Sequence, residues 1–340
     1  MIKIIIPILL TFCVLFANAD ANNNTDKKLI LHTEKISTSM TDREEYYKFL
    51  SKFGWQREVF DNAFPETIYE DCIKNKTLST TKIKYQGRQG VVDGWVIQPK
   101  STKDSKKLPL IIHNRGGASK WGRFKAIDLF NLCYLANKGF AVLASDFRGS
   151  QIKGSDKKFE LDKTDLGYGD VYDSIDLIQV AKELGTIDSG RIGLWGASRG
   201  TMINAMMLTQ LDQIKAVVSL GVVGTEGGQS ERRKDFDEHV YPFIYDGWHE
   251  LTLEKQDELL RGISPYNLAD DIKSTPAFLF LHGGKDWRTP AADMLEYAAK
   301  LQRNKHAIDI VMYADGSHSL FEHHDKAMEH TAKWFEKHLK

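Results

Sequence analysis

Short apolar runs recur through the chain after residue 100, and segments with helical periodicity separate most of them. The apolar runs are of the type that fills buried parallel strands, and they lie at 108–113, 140–146, 191–196, 216–221, 277–282 and 308–313. The clearest helical segments lie at 126–138, 171–184 and 323–339. Strands that alternate with helices predict a largely parallel sheet with helices on both faces.

Two further runs precede this alternating region. Residues 82–85 and 91–97 flank a glycine-containing turn, which predicts an antiparallel hairpin. A hairpin followed by six alternating strands predicts an α/β-hydrolase fold over residues 81–340, with a mostly parallel eight-stranded sheet. The alternation stops at 225–261, where a charged, aromatic-rich stretch predicts a small insertion before the strand at 277–282, with a lid as one interpretation.

The region before the hairpin has a weaker pattern. Residues 20–39 are polar and predict a flexible linker. Thr41 and Glu44 have the spacing of a capping box, which predicts the start of a helix. The pattern stays helical but indistinct as far as residue 80, so residues 20–80 are predicted as a linker and helical extension.

The first nineteen residues have the pattern of a signal peptide. Lys3 precedes an apolar run at 4–16, and the run ends before a small-residue cleavage pattern at 17–19. The apolar run is shorter than the roughly 20 residues that a membrane-spanning helix needs. A lipid anchor at Cys13 is disfavoured because the bulky Phe12 precedes it. The sequence therefore predicts cleavage before Asp20 and an exported protein, periplasmic or secreted, with no remaining membrane span.

Composition and charge exclude several classes of protein. The 340 residues are 42% hydrophobic, and 46 Lys and Arg balance 46 Asp and Glu. These values exclude a disordered chain and offer no basic surface for nucleic acid. The three cysteines are too few for a disulfide-rich scaffold. Removal of the signal would leave Cys72 and Cys133, and the sequence leaves open whether they form a disulfide or remain two buried thiols.

A nucleophile motif lies between the strand run at 191–196 and a helical run at 201–208. Gly196, Ser198 and Gly200 form the pattern G-x-S-x-G, which in this context is typical of a nucleophile elbow. In so tight a turn, side chains at the glycine positions would collide with the neighbouring backbone. The turn would hold Ser198 in a strained conformation with its hydroxyl exposed, so Ser198 is the predicted nucleophile.

A serine nucleophile needs a base, and an imidazole base needs a carboxylate that fixes its tautomer. In this fold both groups follow the serine, the acid first, each in a loop after a strand. Asp286 follows the strand at 277–282, and His318 follows the strand at 308–313. The predicted catalytic residues are therefore Ser198, Asp286 and His318.

Other side chains near His318 are rivals for these roles. Asp315 lies on the same loop, where bracing a turn is the favoured interpretation. His323 and His324 fall in the last helical segment and are predicted to be surface residues. A metal site is also conceivable here, but its residues do not have the spacing that is typical of metal ligands. They would be His318, His323, His324 and Asp325. The predicted reaction therefore requires no metal and no organic cofactor.

The negative oxygen that forms during acyl transfer needs two hydrogen-bond donors. One predicted donor is the backbone N–H of Arg199, at the start of the helix where the dipole also helps. The other comes from the loop that follows the strand at 108–113, where Arg115 and Gly116 are the predicted residues. Glycines in this loop would allow the backbone to approach the substrate closely.

Taken in order, these motifs resemble the catalytic domain of the prolyl oligopeptidase-like serine peptidases. The resemblance runs from about residue 82 to the C-terminus. The segments that carry it are the nucleophile block at 191–200, a D-x-R-G-S turn at 146–150, a G-x-x-D-V segment at 167–171, Ser264-Pro265, and the stretch at 281–286 that leads to the acid. The resemblance implies an α/β-hydrolase fold and peptidase chemistry.

The chain also departs from the family pattern. Arg115 stands near a position where some members place a tyrosine in the oxyanion loop, and Arg199 replaces the tyrosine common after the nucleophile. The residues before the first predicted strand are too few for the β-propeller that members cleaving oligopeptides generally carry. The resemblance therefore favours a peptidase that acts on small peptides, and the expected lack of a propeller favours an esterase that acts on small esters. A non-catalytic binding protein of the same fold is the third interpretation.

Several side chains are candidates for contacts with the substrate. Trp287 is adjacent to the predicted acid, and Trp248 and Tyr245 lie in the insertion, so all three could line an acyl or side-chain pocket. Packing in the core is an equally good interpretation of these aromatic residues. Arg148 could bind a substrate carboxylate, although a structural pair with a nearby acid is favoured.

Overall fold

A computed structural model describes residues 28–35, 43–52, 54–74, 76–100, 106–117, 124, 126–148, 166–224 and 233–340. The predicted signal peptide lies outside these residues, as do residues 225–232 of the predicted insertion and the first part of the predicted linker. Export and cleavage before Asp20 therefore stay predictions.

The centre of the molecule is a nine-stranded sheet, one strand more than predicted. Its strands are β1 (Ile30–Lys35), β2 (Leu78–Gly87), β3 (Gly90–Pro99), β4 (Leu108–Asn114), β5 (Ala141–Ser145), β6 (Ile187–Ala197), β7 (Ile214–Leu220), β8 (Ala277–Gly283) and β9 (Ile308–Tyr313). Their order is β1-β2-β3-β5-β4-β6-β7-β8-β9. Strands β4 to β9 are parallel to one another, and β1, β2 and β3 join them through antiparallel pairs. The predicted hairpin and all six parallel strands are confirmed.

The additional strand β1 lies inside the segment predicted as a linker, so that part of the prediction is wrong. It pairs with β2 from Ile30 opposite Tyr85 to Lys35 opposite Thr81. Ile30 is buried, whereas residues 31–34 are exposed. Because β1 is an edge strand that buries little, its sequence lacks the apolar run that marks the other strands.

Helices cover both faces of the sheet. They are α1 (Arg43–Ser51), α2 (Arg57–Ala63), α3 (Glu66–Cys72), α4 (Ala126–Asn137), α5 (Tyr168–Leu184), α6 (Arg199–Leu208), α7 (Arg233–His239), α8 (Tyr241–Ile244), α9 (Leu253–Arg261), α10 (Pro265–Leu268), α11 (Ala291–Arg303) and α12 (His324–Leu339). Alternate residues of β4 show why two layers form. Leu110 and Ile112 face a core shared with α5, α6 and α11, while Ile111 faces a core shared with α4 and α12.

The helices before β2 pack on the same body as the rest of the chain. Phe60 and Phe64 are fully buried in the core that α4 and α12 share. A disulfide joins Cys72 at the end of α3 to Cys133 in α4, with the two Cα atoms 5.6 Å apart. The question that the sequence left open is therefore answered by a cross-link between the helical extension and the sheet domain.

The described part of the predicted insertion contains α7, α8 and α9. Nothing in these elements tests the interpretation as a lid, which stays a prediction. Among the described residues, no helix is both long enough and apolar enough to cross a membrane.

Candidate active site

The predicted site residues converge at one edge of the sheet. Gly116 follows β4, Ser198 follows β6, Asp286 follows β8 and His318 follows β9. The carboxyl ends of parallel strands lie at the same edge, and this edge is where open α/β sheets place their ligands. Four separate segments of sequence therefore supply one cluster of polar groups.

The turn between β6 and α6 has the geometry of a nucleophile elbow. Ser198 has φ 51° and ψ −122°, a conformation that L-residues rarely adopt. A Cβ atom at Gly200 would lie 1.8 Å from the carbonyl oxygen of Asn114, so β4 and α6 can approach each other only with glycine there. The predicted role of the glycine pattern in this turn is confirmed.

Ser198, His318 and Asp286 form a continuous chain of hydrogen bonds. His318 Nε2 lies 2.9 Å from Ser198 Oγ, and His318 Nδ1 lies 2.8 Å from Asp286 Oδ2. An ionised carboxylate can only accept, so Nδ1 carries the proton and Nε2 is free to accept from the serine hydroxyl. This tautomer is the one that a general base for Ser198 needs.

Asp286 is held as a buried anion by its own loop. Its side chain is completely buried. Oδ1 accepts the backbone N–H groups of Arg288 and Thr289 at 2.9 and 3.0 Å, and Oδ2 accepts the Thr289 hydroxyl at 2.5 Å. Burial alone would raise the pKa of Asp286, but the hydrogen bonds from His318 and Thr289 outweigh it and lower the pKa to about 2. Thr289 was missed at the sequence level; its position three residues after the acid was the available signal.

A second buried histidine supports this loop. His282, in β8, accepts the Val222 N–H at Nδ1 over 3.2 Å, and its Nε2 donates to the Thr289 carbonyl over 2.8 Å. Burial lowers the pKa of His282, so the ring is neutral. Its Nε2 lies 3.8 Å from Asp286 Oδ2, but with a neutral ring this contact is not an ion pair. His282 therefore fixes the Thr289 carbonyl, on the segment that in turn holds Asp286.

Both segments predicted to supply the oxyanion donors lie next to Ser198. A Cβ atom on Gly116 would be 3.1 Å from Ser198 Cβ, so the loop after β4 passes directly over the serine. Arg199 is the first residue of α6, and the first N–H groups of a helix lack acceptors within the helix. Its N–H group also lies at the positive end of the helix dipole.

A cavity of about 440 Å³ opens beside Ser198 and His318. Its walls include aromatic and aliphatic side chains, among them Trp195, Leu220, Leu320, Phe321 and Met328, together with the polar groups Arg115, Asp128, Asn131, Arg288 and His324. This mixed lining suits a small substrate with both apolar and polar parts. A second depression, of about 650 Å³, lies near Ile214 and Thr275 at the opposite edge of the sheet.

The aromatic residues proposed from the sequence as pocket residues do not line this cavity. Trp287 is 73% exposed at the surface. Trp248 is fully buried, and its ring centroid lies 4.8 Å from Tyr241 and 5.9 Å from Tyr245. These contacts make Trp248 and Tyr245 core residues of the insertion. None of the three is among the described residues that line this cavity, and Trp248 packs in the core, which was the other interpretation that the sequence left open.

The rival interpretations are also resolved. Arg148 donates through Nε to Asp173 over 3.1 Å and forms a second, close contact with the same carboxylate, so the favoured structural pair is confirmed. His323 pairs with Asp315 at 2.8 Å, and His324 with Asn131 at 2.6 Å, whereas His318 bonds to Ser198 and Asp286. His324 is mostly shielded from solvent, contrary to the prediction of a surface position, and burial lowers its pKa to about 4. Within the described ranges, no group of three or more His, Cys, Asp or Glu residues is arranged to hold a metal ion.

An α/β-hydrolase sheet with a serine at the elbow and a hydrogen-bonded His and Asp beside it defines the class of the serine hydrolases. The sequence profile of the Prolyl oligopeptidase family matches residues 126–340. The chain belongs to this family of serine peptidases, as the motifs predicted.

Similar proteins include peptidases and a putative dienelactone hydrolase that shares the fold. The probable dipeptidyl-aminopeptidase B of Arthroderma otae is 26% identical over 293 residues, which cover 81% of this chain and 30% of that protein. The acylaminoacyl peptidase of Pyrococcus horikoshii shares the fold with a TM-score of 0.63 at 23% identity, covering 82% of this chain and 44% of that one. A putative dienelactone hydrolase from Klebsiella pneumoniae has a TM-score of 0.54 at 17% identity, covering 77% of this chain and 99% of that one. The chain thus spans 30 to 40% of the length of the first curated relatives that it matches.

Proposed function

We propose that this chain hydrolyses small peptides through an acyl-enzyme on Ser198. The observation that carries the proposal is the hydrogen-bonded chain from Ser198 Oγ through His318 to Asp286, with distances of 2.9 and 2.8 Å. Both distances are within the range that proton transfer between a nucleophile and its base requires. The serine already lies in the conformation that exposes its hydroxyl.

The groups of the site share the steps of the proposed reaction. Ser198 Oγ attacks the substrate carbonyl while its proton moves to His318 Nε2, and the buried Asp286 carboxylate stabilises the resulting imidazolium. The backbone N–H groups of Arg199 and Gly116 bind the negative oxygen. His318 then gives its proton to the departing amine or alcohol. A water molecule, activated by the same imidazole, releases the acyl group and restores the serine.

Membership of the peptidase family favours peptides as the substrate class. The second candidate is a carboxylesterase that acts on small esters, because the chain covers 99% of a putative dienelactone hydrolase of the same fold. Fold alone does not select between the two, since the same groups cleave both kinds of bond. Purified protein assayed with p-nitrophenyl esters and with peptide anilides separates them, because a peptidase cleaves the anilides as well as the esters, whereas an esterase cleaves the esters alone.

A fluorophosphonate probe tests catalysis itself. Ser198 Oγ should attack the probe's phosphorus and expel fluoride only if His318 accepts the proton, so we expect one label per chain, on the peptide that contains Ser198. Heat-denatured protein is the control and should remain unlabelled. A folded chain that resists the probe would instead support the third interpretation, a binding protein of this fold.

We also propose that the chain is exported. The N-terminal pattern at 1–19 and the disulfide between Cys72 and Cys133 support this proposal, because disulfides persist mainly in oxidising compartments. In an exporting host we expect a mature protein that begins at Asp20. Its Cys72 and Cys133 should resist alkylation until a reductant is added. Intact mass and peptide mapping measure both; a mature chain that keeps residues 1–19 would contradict the proposal.

A further inference from the structure

Two arginine side chains hold consecutive carbonyl groups of the loop that follows β4. Arg115 Nη1 donates to the carbonyl oxygen of Gly116 over 3.1 Å. Arg199 Nη1 donates to the carbonyl oxygen of Gly117 over 3.3 Å. Arg115 belongs to the loop itself, whereas Arg199 directly follows Ser198. These are the two arginines at which the chain departs from the pattern of the resembling peptidases.

Each of the two guanidinium groups also binds a second partner through its Nη2 atom. Arg199 Nη2 lies 2.8 Å from Asp170 Oδ2, and the two side chains are only 13% and 3% exposed. Arg115 Nη2 donates to the carbonyl oxygen of Asp146 over 2.6 Å, and its guanidinium carbon lies 4.7 Å from the centre of the Phe147 ring. A buried guanidinium group with two binding partners has little rotational freedom, so it can hold the backbone carbonyl group that it binds.

The neighbouring backbone leaves room for the Arg199 side chain. A Cβ atom at Gly167 would lie 2.0 Å from Arg199 Nη2, so any other residue there would displace the guanidinium. Gly167 has φ 99°, in the region that favours glycine, and it immediately precedes α5, which carries Asp170. The start of α5 is therefore shaped around the arginine that follows the nucleophile.

Arg199 does not reach the substrate cavity with its side chain. The described residues that line the cavity include Ser198, His318, Gly116 and Gly117, but not Arg199. The hydrogen bond to the Gly117 carbonyl is therefore the contact through which the guanidinium can position the loop beside Ser198.

We propose that Arg199, anchored by Asp170, is a positioning residue that fixes the oxyanion loop in its reactive conformation. This inference rests on the proposed function, since it concerns the loop that supplies the Gly116 N–H. Two adjacent glycines have wide conformational freedom, and a peptide unit is planar. The Gly116 carbonyl lies in the same planar unit as the Gly117 N–H, whereas the Gly116 N–H lies in the preceding unit. Fixing the carbonyl oxygens of Gly116 and Gly117 therefore immobilises the two peptide units that follow Gly116, and it restricts the ψ rotation of Gly116 that would let the loop move away from Ser198. The salt bridge with Asp170 holds the Arg199 guanidinium group in the orientation in which it binds the Gly117 carbonyl.

Two substitutions test this role, one at Arg199 and one at its partner Asp170, and a third substitution serves as the control. Arg199→Met keeps much of the side-chain volume and removes the donors, and Asp170→Asn removes the anchor's charge with almost no change in shape. The control is Arg88→Met. Arg88 pairs with Asp176 on the same helix α5, also at 2.8 Å, but lies in the β2–β3 turn.

We expect the effect in kcat rather than in KM. A misplaced oxyanion donor loses part of the stabilisation that a well-placed donor gives, so kcat with a p-nitrophenyl ester should fall about 10- to 100-fold for Arg199→Met. Asp170→Asn should lower kcat in the same direction, and the double variant should be no worse than Arg199→Met alone. KM should change less than threefold, and Arg88→Met should retain the wild-type kcat.

A comparison of inhibitors separates positioning from general damage. A trifluoromethyl ketone forms a tetrahedral adduct with the serine and needs the oxyanion donors, whereas a product carboxylic acid does not need them to the same degree. The Ki of the ketone should rise in Arg199→Met by the factor by which kcat/KM falls, while the Ki of the product stays constant. In Arg199→Ala, added guanidinium ion should restore part of kcat, since it can occupy the vacated site between Asp170 and Gly117.

The outcomes are distinct from those that test the proposed function. If Ser198→Ala is inactive while Arg199→Met and Asp170→Asn both keep kcat within twofold of wild type, the positioning role is wrong and the serine mechanism stands. If Arg199→Met raises both inhibition constants equally, its role is merely structural and the proposal is again wrong. If Ser198→Ala remains as active as wild type, the serine mechanism itself fails.

Discussion

Replacing Ser198 with alanine is expected to lower kcat about a million-fold, with little change in KM. The hydroxyl is the only part of Ser198 that reaches His318, with 2.9 Å between Oγ and Nε2, and alanine removes it without adding volume. The neighbouring oxyanion donors and the cavity walls remain, so substrate binding should persist while acyl transfer is lost. Stopped assays with p-nitrophenyl esters at high enzyme concentration can measure the residual rate.

The control for this variant is Ser51→Ala. Ser51 is exposed at the end of α1, where its hydroxyl donates only to the local carbonyl of Lys48 over 3.0 Å. Its removal should leave kcat, KM and the thermal midpoint at wild-type values. A Ser198→Ala protein that folds and still hydrolyses esters at more than a hundredth of the wild-type rate would rule out the proposed acyl-enzyme.

Replacing Asp286 with asparagine is expected to lower kcat about ten-thousand-fold. Asparagine keeps the shape, but its amide cannot stabilise an imidazolium and can turn an N–H towards His318 Nδ1. The proton of the ring would then move to Nε2. A protonated Nε2 cannot accept the proton of the Ser198 hydroxyl, so the ring could no longer act as the base. Steady-state kinetics above pH 7 measure the loss.

The other carboxylate near His318 in sequence provides the matched control. Asp315 is exposed and pairs with His323 at 2.8 Å, so Asp315→Asn should keep kcat within threefold of wild type. Equal losses in the two variants would contradict the assignment of Asp286 as the orienting acid.

Asp286 also links the stability of the fold to pH. Hydrogen bonds from His318 and Thr289 offset the effect of burial and lower its folded-state pKa to about 2, from its ordinary value of 3.8. A lowered carboxylate pKa stabilises the fold above the unfolded value and loses this contribution as pH falls to the folded value. The shift corresponds to about 2 kcal/mol, so wild type should exceed Asp286→Asn in free energy of unfolding by about that amount at pH 6. Denaturant titrations should show this difference shrinking between pH 4 and pH 2, and a difference independent of pH would contradict the assignment.

Most of the sheet could be predicted from sequence, because each buried parallel strand must be apolar on both faces. The strand from Ala277 to Gly283 is buried at every position, and its apolar run marks it clearly. β1 could not be found this way. It contributes chiefly Ile30 to the core, and its pairing with β2 depends on backbone hydrogen bonds that any residue type can make.

The site was predictable where chemistry depends on local sequence and failed where it depends on side-chain direction. The order of Ser198, Asp286 and His318 follows from the topology, since each must end a strand at the same edge of the sheet. Trp248 and Trp287 carried no such constraint. Trp248 is fully buried in the insertion, whereas Trp287 is 73% exposed. The residues next to them in the sequence did not indicate which tryptophan would be buried.

By itself the sequence determined the alternation of strands and helices, the tight turn at Ser198 and the chain order of the three reacting groups. All of these depend on residues a few positions apart or on the order of elements. Only the tertiary structure decided that His318 contacts both Ser198 and Asp286, and that Arg199 joins Asp170 to Gly117. Such contacts join loops that are distant along the chain, and their distances depend on how the sheet and helices pack together.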